Sequence, residues 1–151
     1  MMPNRYIWAG AAVVVLVAAA SYWWWKEGTG GSGVNDPARL AQGQVLYEQN
    51  CASCHGLNLE GQANWRKPLP NGRLPAPPHD AAGHTWHHPD DILFRITREG
   101  TAAVVGGGHK SDMPGFGNVL TDTEIHAVLA YIKSKWPEKQ RAYQEEVSSA
   151  R

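Results

Sequence analysis

Cys51-Ala52-Ser53-Cys54-His55 is the stretch on which the reading of this 151-residue chain turns. Two thiols three residues apart at a helix end can reach two vinyl groups on one porphyrin edge. The imidazole that follows is then placed over the iron, and C-x-x-C-H is the attachment pattern of a c-type haem. Other chemistries fit less well. Any exported C-x-x-C can close a disulfide, but a thiol redox pair belongs in a βαβ setting, and no strand pattern of any length is visible. A zinc site needs two further ligands, and filling it from the histidines would leave the chain's long irregular gaps without a filler. Two cysteines are too few for a disulfide-stapled scaffold.

Outward from the pentapeptide the pattern is helical, with long Pro- and Gly-rich connections. Asp36-Pro37 is a helix start, a capping residue followed by proline at the first helical position, and the helix should run to about Asn50. Pro89–Glu99 predicts a second helix, with Ile92, Leu93 and Ile96 apolar and Gly100 as its stop. Thr121-x-x-Glu124 is a capping box opening a third, whose apolar face carries Ile125, Val128, Leu129 and Ile132 and which Trp136-Pro137 closes. Residues 56 to 88 and 100 to 120 read as mostly irregular. So much loop in a compact domain normally counts against an assignment, so something besides side chains is expected to fill the core. A covalently held haem, large, flat and apolar, fills that role.

The second iron ligand follows by elimination. Of the three methionines, Met1 and Met2 begin the chain, leaving Met113 in Ser111-Asp112-Met113-Pro114-Gly115-Phe116. Proline stiffens that segment just after the thioether. A thioether trans to an imidazole favours Fe(II) and raises the reduction potential. Two strong protein ligands leave no open coordination site, which points to electron transfer rather than catalysis; no catalytic residue is expected.

Residues 6–25, from Tyr6 to Trp25, carry no charge. An α-helix of that length spans roughly 30 Å, the thickness of a bilayer's hydrocarbon core. Trp8 at one end and Tyr22, Trp23, Trp24 and Trp25 at the other match interfacial aromatic belts. Arg5 flanks the start, while Lys26 and Glu27 cancel after the end, so the N-terminus is expected inside and the remainder outside. Residues 1–27 are therefore expected to be a single-pass anchor in the cytoplasmic membrane. Ala18-x-Ala20 also resembles a signal-peptidase site, which leaves cleavage open; either way the remainder is exported. Residues 28–36 are a Gly/Ser-rich flexible linker.

The chain carries 14 Lys+Arg against 14 Asp+Glu. Without Arg5, Lys26 and Glu27 the exported part keeps 12 basic and 13 acidic residues. That balance argues against a nucleic-acid binder. Residues 138–151 are polar and charged, and are expected to be a solvated helical extension or a frayed end.

In these features the chain resembles a class I monohaem c-type cytochrome of the bacterial membrane-anchored kind, over roughly residues 37–137. The resemblance rests on Gly43-x-x-x-Tyr47, on Cys51–His55, on Met113-Pro114, and on Leu120–Lys133 with its Ala-Tyr-Ile core. It implies an all-α fold of three to five helices around one haem c, bound through Cys51 and Cys54 and ligated by His55 and Met113. Gly43 would let Tyr131 pack close, and the carbonyl of Pro75, Pro77 or Pro78 would orient the proximal imidazole. The stretch from Leu57 to Trp86 departs from the small family pattern as an insertion that covers a haem edge or forms a docking surface.

The implied function is one-electron transport in a respiratory or other membrane chain. The donor would be a dehydrogenase or quinol-oxidising complex, and the acceptor an oxidase or reductase. Two alternatives stay open: a fixed cytochrome subunit of a larger membrane oxidoreductase, and a haem-based sensor or metal-handling protein. The latter would use His79, His84, His87, His88 and His109, otherwise read as surface or pocket-edge histidines, with copper as the metal their imidazoles suit. Trp65, Trp86, Arg66, Lys67 and Arg73 are candidates for the propionate side.

Overall fold

Helix α1 spans Pro37–Asn50 and is followed at once by the one-turn α2, Ala52–His55, which carries the end of the pentapeptide. A 3-10 turn covers Thr85–His87. After it come α3, Asp90–Glu99, the short α4, Thr101–Val105, α5, Asp122–Ser134, and α6, Glu138–Ser149. The computed structural model describes residues 36–150. Among them no sheet forms, and the one isolated bridge joins Gly100 to Pro114. The expected anchor at 6–25 and most of the linker lie outside the described residues. Among the described residues no helix is long and apolar enough to cross a membrane.

The local rules read from the sequence explain most of these boundaries. Thr121 accepts from the Glu124 N–H while the Glu124 carboxylate accepts from the Thr121 N–H, closing the capping box. Helix α3 has Asp90 and Asp91 in its first turn and Arg98 in its last, each on the favourable end of the helix dipole. It stops where Gly100 takes φ +89°, a left-handed conformation open to glycine.

The core lies mainly where α1 crosses α5. A Cβ on Gly43 would sit 2.0 Å from the Ala127 carbonyl oxygen and 3.0 Å from Tyr131 Cβ, so only glycine permits this approach. Tyr47 and Tyr131 meet across it with ring centroids 5.5 Å apart. Around them Leu59, Leu93, Leu120, Ile125, Val128, Leu129, Ile132 and Trp136 are buried. The expectation that something besides side chains must fill the core is corrected to this extent: the α1–α5 crossing has an apolar core of its own.

Two further differences have physical reasons. Helix α5 ends at Ser134, before the expected stop, and Trp136 turns inward, 2% exposed, with its Nε1 donating to the His79 carbonyl at 2.7 Å. The polar tail forms helix α6, helical and largely exposed as expected, but it also docks through its one buried residue. Gln144, 1% exposed, donates from Nε2 to Asp90 Oδ1 at 2.6 Å and to the His88 carbonyl at 3.3 Å, and the Asp90 N–H donates to Ser148 Oγ at 3.1 Å. Its docking joins these polar contacts to edge-on ring contacts of Tyr143 with Trp86 and His87, each at 5.5 Å, so no apolar periodicity announced it.

Candidate haem site

The pentapeptide sits at the end of α1, and its first turn is set by backbone bonds. Cys51 N–H donates to the Tyr47 carbonyl at 2.8 Å, and His55 N–H to the Cys51 carbonyl at 2.9 Å. Both cysteines are free thiols, Cys51 half-buried and Cys54 exposed. Burial, with Cys54 nearby, pushes the Cys51 thiol up to about 11. At neutral pH it is therefore a protonated thiol, unlike the acidified cysteine of a thiol redox pair. Tyr47 braces the turn from below, its hydroxyl donating to the Gly56 carbonyl at 2.8 Å.

His55 is buried, 6% exposed, and its Nδ1 lies 2.8 Å from the Pro77 carbonyl oxygen. A carbonyl only accepts, so Nδ1 carries the proton and Nε2 keeps its lone pair. Burial holds the imidazole pKa below its usual value, the Pro77 bond opposing that shift, so the ring is neutral and able to bind a metal. Of the three prolines offered by the sequence, Pro77 is the one that orients the ring. The loop delivers it through Gly61 N–H to the His55 carbonyl at 2.7 Å, Gln62 N–H to the Ala76 carbonyl at 2.9 Å and His79 N–H to the Leu59 carbonyl at 2.8 Å. His79 stacks on His55 at 3.9 Å between centroids and 21° between planes, and hydrogen-bonds Thr85 Oγ1 through Nδ1 at 2.8 Å. Stacking covers a ring face and leaves the Nε2 edge free.

Met113 stands on the loop between α4 and α5, half-buried. Its N–H donates to Ser111 Oγ at 3.1 Å, and its Sδ accepts from Thr101 Oγ1 at 3.3 Å. The loop is pinned to α3 by Phe116 N–H to the Thr97 carbonyl at 2.9 Å and Gly117 N–H to the Arg98 carbonyl at 3.0 Å. The contacts of Met113 thus run to Ser111 and Thr101, and those of His55 to Pro77 and His79.

The remaining histidines divide. His84 stacks on Trp65 and meets His88 edge-on at 5.6 Å, while His87 stacks on Trp86 at 3.7 Å. His109 lies exposed after three glycines, apart from this group's stacking contacts. Among the described residues no group of three or more His, Cys, Asp or Glu side chains is arranged to hold a metal. Of the cationic candidates, Arg66 lies over the Trp65 ring at 4.0 Å and Arg73 pairs with Asp112.

These residues fit a covalent haem. Two free thiols and a neutral, oriented imidazole share one turn, and a thioether stands on a pinned loop. Trp86 Nε1 is buried without a hydrogen-bond partner, a state that native proteins seldom leave unexplained. A haem propionate is an acceptor of the right charge for it. Thr101 was not singled out from sequence; His79 was named only among the pocket-edge histidines and Trp136 only as a helix stop. Trp136, four residues past Ile132, continues the apolar face of α5; His79 and Thr101 carried no such signal.

Comparison with known proteins adds a family. The chain matches the profile described as cytochrome C oxidase, cbb3-type, subunit III over residues 38–132, more than half its length. Among solved structures, cytochrome cL from the marine methylotrophic bacterium Methylophaga aminisulfidivorans is similar at 23% identity with a TM-score of 0.49, covering 77% of this chain and 67% of that one. A search of curated proteins finds no match.

Proposed function

The chain belongs to the cytochrome c family described as cbb3-type cytochrome c oxidase subunit III, and on that premise we propose that it is a one-electron carrier of a membrane electron-transfer chain, with one haem c ligated by His55 and Met113. A cytochrome c domain implies haem-based electron transfer, and proteins of this kind typically carry electrons rather than catalyse reactions. When bound, the haem supplies a reversible one-electron couple; the protein sets its potential, exposure and docking.

Cys51 and Cys54 would bond the porphyrin edge and His55 Nε2 the iron. Pro77 fixes the imidazole's tautomer and plane, an outer-shell effect that raises ligand basicity. Met113 would supply a soft thioether ligand, which raises the potential. Trp86 would donate to a propionate. The charge-free stretch at 6–25 supports tethering of the domain to the outer face of the cytoplasmic membrane, which raises the effective concentration of membrane-bound partners. Those partners would be a dehydrogenase or quinol-oxidising complex as donor and an oxidase or reductase as acceptor.

The observation that carries this reading is His55: buried, neutral, and held through Nδ1 with its Nε2 edge free, directly after two free thiols. An optical redox titration of the matured protein tests it. We expect a single one-electron wave and, in the oxidised form, the far-red band of thioether-to-ferric ligation. Met113→Ala should keep the haem attached, lose that band and lower the potential. An unchanged spectrum and potential would assign the second ligand elsewhere.

The family's description favours a second reading, a fixed subunit of a larger membrane oxidoreductase. Purification in mild detergent separates the two: a carrier comes out alone, a subunit with companions.

A further inference from the structure

The loop carrying Met113 and the chain leaving α3 run side by side in a set register. Gly100 and Pro114 form an antiparallel bridge, so Thr101 and Met113 are the next pair along. Two glycines make the approach possible: a Cβ on Gly100 would sit 2.9 Å from the Gly115 nitrogen, and one on Gly115 would sit 2.6 Å from the Glu99 carbonyl carbon. Beyond the bridge, Phe116 and Gly117 donate to the Thr97 and Arg98 carbonyls, which fixes the register from the other side. The backbone therefore brings the Thr101 hydroxyl to the Met113 thioether, where it donates to Sδ at 3.3 Å.

Sulfur in a thioether has two lone pairs. One can bond a metal while the other accepts a hydrogen bond, and methionine's three rotatable bonds otherwise leave the choice between them open. We infer that Thr101 is a positioning residue for the electron-transfer site, engaging one lone pair of Met113 Sδ so that the other is left for a metal, and tuning the potential through that sulfur. This rests on the reading of Met113 as the second ligand. The sign follows from the donor. A hydroxyl drawing density from sulfur weakens its donation to the more electron-demanding Fe(III), so the reduced state gains relative to the oxidised one. Outer-shell hydrogen bonding of this kind is one of the protein's levers on haem potential.

The test uses the matured, haem-loaded full chain. Thr101→Val keeps the β-branched shape and removes the donor; Thr101→Ser restores a donor on a smaller side chain. Each is read by optical redox titration and by the position of the far-red band. Thr101→Val should shift the one-electron equilibrium toward the oxidised form by about threefold to tenfold, tenfold corresponding to about 59 mV, and should move the band. Thr101→Ser should stay near wild type. Thr101→Ala provides the same comparison if valine disturbs packing. The inference is overturned if the donor-free variants titrate like wild type with the band in place, a result that leaves the ligand assignment standing. If wild type shows no such band and Met113→Ala titrates unchanged, the ligand assignment fails, and this inference with it.

Discussion

The α1–α5 crossing and the loop half are held together in different ways. At the crossing, side chains interdigitate around a backbone-to-backbone approach at Gly43, and the buried residues are almost all apolar. Between residues 56 and 89 and around Met113, the chain is held by backbone hydrogen bonds across loops, by stacked rings and by single polar contacts such as His55 to Pro77. The difference separates scaffold from site. Close apolar packing tolerates little change and carries stability, whereas hydrogen-bonded loops place a few polar atoms with the spare capacity a cofactor needs.

Substitutions within each half and on the seam between them test that division. Gly43→Ala should have the largest effect. The new methyl meets the Ala127 backbone, so α1 and α5 must part, at about 3 kcal/mol of overpacking strain against the roughly 1 kcal/mol alanine normally gains over glycine in a helix. Thermal unfolding of the haem-loaded protein measures it; an unshifted midpoint would mean the crossing yields easily.

Gln144→Ala lies on the seam, where α6 meets the start of α3. It leaves the His88 carbonyl and Asp90 without their amide donor and should cost about 2 kcal/mol. Amide hydrogen exchange should rise in α6 and the 3-10 turn while α1 and α5 stay protected. Exchange rising equally in all four would show that the two halves unfold as one unit.

The smallest effect belongs to the loop half. Burial first, and then neighbouring positive groups, hold His84 and His88 below the usual imidazole value of 6.5 in the folded state. The unfolded chain therefore binds protons more readily. Their contribution to stability is complete above pH 6.5 and is lost as pH falls below it toward the lowered folded values. His84→Gln with His88→Gln should flatten the slope of unfolding midpoint against pH between 7 and 5. A slope equal to wild type would place the acid sensitivity elsewhere.

The same division explains what the sequence made legible. Helices α1, α3 and α5 were readable because local rules decide them: proline at a first turn, the Thr121–Glu124 box, apolar spacing, glycine stops. Cys51, Cys54 and His55 stood out as candidates because C-x-x-C-H packs its chemistry into five consecutive residues. The Pro77 bond was narrowed to three prolines and no further, since the choice depends on how Leu59 and Gln62 pair with residues 76–79. Thr101 was invisible because its contact with Met113 comes from the register between the Met113 loop and the start of α4. Helix α6 was visible as a polar tail but not as a docked element, because single polar side chains and one aromatic ring, Tyr143, hold it rather than an apolar stripe. Trp136, read as a punctuation mark, instead joins α5 to the loop bearing His79.

The most direct test of the central claim is the intact mass of the protein matured in a host that attaches haem c. The account predicts the polypeptide plus one haem, with the adduct surviving denaturation and single attachment or none in the Cys51→Ser and Cys54→Ser variants. A well-folded product with only the polypeptide mass would contradict it.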